Sequence, residues 1–179
     1  MLAFDFEATQ TELGGLFYLI NLGLFLELYA DFTSPARPGI ELPIWDFVAL
    51  LGEDLLGPPV REDPIWVLLA ELAGRGAAEN PSLDLRVSLA SRRSVPAKRW
   101  LSRMLPYLRR RLARALDLAK PEEVAKVLLH RSAEVYSTPT RIDVRFALAE
   151  LPVEVRLSGL DRDPGWVPAA GRDIRFHFD

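Results

Sequence analysis

The sequence predicts an α+β protein, a single domain over residues 1–179 that is helix-rich through 131 and strand-rich from 132 onward. Two observations predict this class. Before residue 131 the apolar residues run continuously or recur at helical spacing, punctuated by proline and glycine; beyond it they alternate with polar ones. A third bounds its size: 179 residues, 49% of them apolar, bury roughly two-thirds of the unfolded surface and need neither disulfide nor structural metal.

Taken in order, Leu2, Phe4 and Phe6 alternate as in a short strand. Residues 13–28, LGGLFYLINLGLFLEL, are apolar all round a helical wheel, which predicts a buried central helix. A membrane span needs about 20 apolar residues. This run meets Glu12, Glu27 and Asp31 at its ends and has Asn21 in its middle, so no membrane partner is expected. Thr33 to Gly39 holds two prolines and a glycine and predicts a loop.

Residues 42–56 read as a second helix with Pro43 near its start, stopped by Gly57-Pro58-Pro59. A third opens at Asp63-Pro64, where Asp caps and Pro suits the first turn, and ends at Gly74 and Gly76. Leu83, Leu85, Val87 and Leu89 alternate as a half-buried strand. A long basic helix follows over 96–118, and a shorter one over 121–131 with Glu122 and Glu123 in its first turn.

The last third predicts a small antiparallel sheet. Its strands are marked by Ile142, Val144, Phe146 and Leu148; by Val153, Val155 and Leu157; and by Ile174, Phe176 and Phe178, with residues 133–136 as a further edge. Residues 159–171, rich in turn formers, predict an ordered loop.

Composition narrows the chemistry. No cysteine is present, which rules out disulfides, thiolate nucleophiles and Cys-ligated metals. The two histidines, His130 and His177, lie too far apart for an HExxH zinc site, and neither has a local partner for nucleophilic catalysis. The phosphate-cradling and nucleophile-elbow motifs GxGxxG, GxxxxGK[ST] and GxSxG are absent. No catalytic residue, cofactor or metal is therefore expected. The region after Met1 is acidic, with Asp5 and Glu7, where a secretory signal is basic, so cytoplasmic residence is expected.

The net charge of −3 hides an asymmetry: residues 1–90 carry 14 acids and 4 bases, whereas 91–131 carry 12 bases and 3 acids. On the basic helix, Leu101, Met104, Leu105, Leu108, Leu112, Ala115 and Leu116 form the core stripe. Trp100, Arg103, Tyr107, Arg111 and Arg114 share the far side and are the predicted partner-binding residues. Three readings fit them: a solvated face paired with the acidic half, a protein interface anchored by Trp, Tyr and Arg, or a nucleic-acid surface that stacks bases and holds phosphates. Binding to a protein is the expectation, nucleic acid the alternative, and a homo-oligomer is compatible with either.

In the loop, Asp161, Asp163 and Trp166 form a second place of interest. The carboxylates stand at i and i+2, but the oxygen ligands and glycine that an EF-hand requires do not follow. A turn in which the aspartates bond their own backbone, with Trp166 packed back on the sheet, is expected instead. Asn21 is expected to hydrogen-bond a neighbouring element. Asp46, Glu53 and Asp54 share one face of the second helix and are expected to be solvated.

Residues 14–22 (GGLFYLINL), 42–52 (LPIWDFVALLG) and 159–172 (GLDRDPGWVPAAGR) resemble a bacterial family of unknown function encoded beside contractile injection systems, the phage-tail-like particles. The resemblance implies an accessory or structural protein of such a cluster, without catalytic residues to carry over. Members are often longer at the amino end, so the chain is expected to correspond to a carboxyl-terminal domain.

Overall fold

The computed structural model describes residues 8–29, 40–76, 79–81, 85–88 and 94–179, and the fold they form is α+β. The proposed strand at Leu2 to Phe6 and the loop at 33–39 lie outside the described residues, as do Leu83 and Leu89. A five-stranded sheet runs in the order β1 (Thr9–Thr11), β4 (Ala133–Ser137), β5 (Arg141–Phe146), β7 (Arg172–Phe178), β6 (Gly165–Val167). Its pairings are antiparallel except β5 with β7, which run parallel with Ile142 opposite Ile174 and Val144 opposite Phe176. The pair β2 (Arg86–Ser88) and β3 (Ser94–Pro96) forms a separate ribbon. The segment at 133–136 is thus an inner strand, with β1 added outside it.

The central helix begins as a 3₁₀ turn, Gly14–Phe17, and continues as α1 (Tyr18–Phe25). Leu16, Phe17, Tyr18, Leu19 and Ile20 have no exposed surface, because one side faces the sheet and the other the helices. Tyr18 stacks on Phe146 at 5.1 Å between ring centroids and meets Phe176 edge-on at 5.4 Å, docking α1 on the sheet's inner face. Gly14 and Gly15 allow this approach. A Cβ on Gly15 would stand 2.1 Å from the Leu128 carbonyl oxygen and one on Gly14 would stand 2.4 Å from Ala133 Cβ, so any side chain would force backbones apart. Among the described residues no helix is long and apolar enough to cross a membrane.

Helix α2 (Ile44–Leu56) starts just after Pro43, and α3 (Pro64–Leu72) is capped as its sequence predicts, with Asp63 Oδ1 accepting from the Ile65 N–H at 2.8 Å. The same carboxylate accepts from Thr11 Oγ1 and the Glu12 N–H, which ties β1 to the head of α3. Helix α4 (Ala97–Ala115) runs through Pro106 without ending there. Residues 121–131 form two short turns rather than one helix: a 3₁₀ turn at Pro121–Glu123 and a π-turn at Ala125–Leu129.

The proposed strand at Val153, Val155 and Leu157 is instead helix α5 (Val153–Ser158). Pro152 at its N-cap and Gly159, left-handed at φ 74°, bound one and a half turns. Only Val155 of the three is buried; Val153 is 67% and Leu157 81% exposed. The region 159–171 is not loop throughout, since Gly165–Val167 pairs with β7 as the outermost strand.

Candidate protein interface

Helix α4 is held by its apolar stripe. Leu101, Leu108, Leu112 and Leu116 are fully buried or nearly so, and Met104 and Leu105 pack beside them. Ala113 rather than Ala115 completes the buried set, and Ala115 is exposed. On the opposite side Lys98, Arg99, Arg103, Arg110, Arg111 and Arg114 are all exposed. None of the six makes an ion pair among the described residues, so the acidic first half does not neutralise this face by contact. Arg109, part-buried on the same helix, does reach that half: its Nη2 donates to the Asp54 carbonyl at 3.0 Å.

Of the predicted contact residues, Arg103, Tyr107, Arg111 and Arg114 lie on this open side, Tyr107 41% exposed with the Arg111 guanidinium 6.0 Å from its ring centroid. Trp100 does not stand free with them. It is half-buried and packs against the core, because at the start of α4 the core extends further round the helix than its periodicity suggests.

Beside Arg111 and Arg114 opens a groove of about 240 Å³. Leu22, Phe25 and Leu26 from the end of α1, Leu112 and Ala115 of α4, and Leu160 form its apolar walls; Ser158 at the end of α5 and the two arginines complete the lining. Phe25 is 56% exposed. Sequence reading missed this groove. Its one available signal was the oily end of the first helix, but the walls come from three segments far apart in the chain.

The loop aspartates bond inward, but not to the backbone of their own turn. Asp161, 5% exposed, accepts from Arg156 Nη1 at 3.0 Å, and Asp163 Oδ1 accepts from the Phe176 backbone N–H at 2.7 Å. With their oxygens so engaged the two do not form a joint site, and among the described residues no group of three or more His, Asp or Glu is placed to hold a metal ion. Asn21 donates its side-chain amide to the carbonyls of Leu160 and Arg162, holding the same loop against α1. Trp166 is not packed back on the sheet: it sits 46% exposed opposite Asp173 on the outermost strand, beyond which no further strand pairs among the described residues.

One expectation about charge is overturned. Asp46 is not solvated but 4% exposed and ion-paired with Arg75, and Glu53 pairs with Arg61. Burial raises the Asp54 carboxyl, against the pull of Lys98. His177 pairs with a carboxylate rather than a nucleophile, its Nε2 lying 2.6 Å from Asp143 Oδ1 on the neighbouring parallel strand. These two residues stand on the sheet's outer face in alternating rows of opposite charge: Glu134 beside Arg145, Asp143 beside Arg175, Arg141 beside Asp173. Such rows satisfy one another.

A wider cleft of about 450 Å³ is lined by both Glu71 and Arg172, but Arg172 Nη1 is engaged by Ser137 Oγ and the Thr138 carbonyl. No known family model, curated protein or solved structure matches this chain.

Proposed function

We propose that this protein acts by binding rather than catalysis, as a cytoplasmic accessory or assembly component of a contractile injection, phage-tail-like, apparatus. Arg103, Tyr107, Arg111 and Arg114 on α4 form its contact surface for another protein. The observation that carries this reading is the unpaired basic face, six exposed cations on one helix in a chain whose first half is strongly acidic. Arg and Tyr are the side chains that most often anchor interfaces, and an acidic partner surface would meet these cations without the cost of burying them unpaired. The three sequence stretches that resemble the injection-system family supply the apparatus.

Co-purification with the products of neighbouring genes tests it. The wild-type chain retains a partner, and Arg103→Glu with Arg111→Glu releases it; an unchanged partner set sinks the assignment to α4.

The same face supports a second reading, nucleic-acid binding, because Tyr107 is exposed between arginines and could stack on a base. It requires an affinity that falls steeply with added salt. Absence of any DNA or RNA retardation at low salt removes it.

A further inference from the structure

Helix α5 leaves an apolar edge uncovered. Val153 and Leu157 are four residues apart and therefore share a face, and they are 67% and 81% exposed. Val155 is fully buried, which fixes α5 to the core with that edge outward. Glu154 is exposed between them, and no hydrogen bond or ion pair of its side chain is found among the described residues. The next residue after Leu157, Ser158, lines the groove between α1, α4 and α5, whose mouth carries the exposed Phe25 and the unpaired Arg111 and Arg114.

Within one patch, then, stand an apolar projection and an apolar recess, an unpaired acid and two unpaired cations. That is the requirement for an isologous interface, in which each residue meets its complement on an identical surface.

We propose that a second copy of this chain covers this face: Leu157 of each protomer enters the other's groove against Phe25 and Leu26, and Glu154 meets Arg111 and Arg114 across the two-fold axis. The inference goes beyond the binding role of α4, with which it shares Arg111 and Arg114; Leu157, outside α4, separates the two in the test. Arg103 and Tyr107 are not needed for the paired face, and the test uses no partner protein.

Sedimentation equilibrium of the full chain decides it. The wild type is expected at twice the 20.1 kDa of the chain in the micromolar range. Leu157→Asp is expected to raise the dimer dissociation constant by about a hundredfold or more, since each dimer loses two buried leucines. Circular dichroism stays unchanged, because the side chain is exposed in the single copy. Glu154→Arg also weakens the dimer, and adding Arg111→Glu and Arg114→Glu restores it. A wild type that stays monomeric overturns the proposal, as does a dimer indifferent to Leu157→Asp. Failure of the reversed charges to rescue would overturn the pairing of Glu154 with the arginines.

Discussion

Asn21, in the middle of the buried helix α1, donates its side-chain amide to the carbonyl of Leu160 at 2.8 Å, and to that of Arg162 at 2.7 Å. The two residues are 139 positions apart, and the contact joins the first helix to the loop that leads into the last two strands. An amide in an otherwise apolar helix is costly unless its hydrogen bonds are made, and here both donors point to the same loop.

Asn21→Leu should therefore cost about 2 kcal/mol or more, because both loop carbonyls lose their donor. Denaturant unfolding measures it. A variant as stable as the wild type would show that water replaces the amide without loss.

The buried pair of Asp46 and Arg75 links α2 to the end of α3. Their side chains are 5% and 16% exposed, so removing one partner strands a charge in the interior. Arg75→Ala should destabilise by roughly 3–5 kcal/mol, whereas Asp46→Leu with Arg75→Met should recover most of the loss. Equal stability of the single and double variants would contradict this.

Asp143 supplies a pH dependence. Partial burial by itself raises its carboxyl, but hydrogen bonds from Arg141 and His177 outweigh that and hold it below the ordinary value of 3.8. A carboxyl lower in the folded than the unfolded state adds stability above the unfolded value, and this is lost as pH falls through the folded one. Asp143→Asn should be less stable than the wild type near neutrality, and the gap in Tm should close on acidification below pH 3.8. A gap that persists at low pH would assign the effect to packing.

Much of this fold is legible from local rules. Pro43, Asp63 and Pro64 mark helix starts, and the Leu101–Leu108–Leu112 stripe orients α4, since each signal acts within a turn or two of chain. Helix α5 is not legible, because Val153, Val155 and Leu157 alternate as a strand would; only Pro152 and Gly159 bracket it as a helix, and its outward apolar edge defeats the rule that apolar residues face inward. The parallel pairing of β5 with β7, and the addition of Thr9–Thr11 beside β4, depend on contacts between distant segments that leave no local pattern. The same division holds for the site. The Arg103–Tyr107–Arg111–Arg114 stripe follows from helical periodicity alone, whereas the burial of Trp100 depends on which segments surround the start of α4.

Side-chain footprinting of α4 tests the central claim most directly. Arginine-specific modification of the purified chain is compared with that of the chain mixed with the products of its neighbouring genes. Strong protection of Arg103, which lies outside the paired face, in the mixture, with Arg175 on the sheet's outer face modified equally in both samples, is the predicted result. Equal modification of Arg103 with and without those proteins would contradict a protein-binding role for α4.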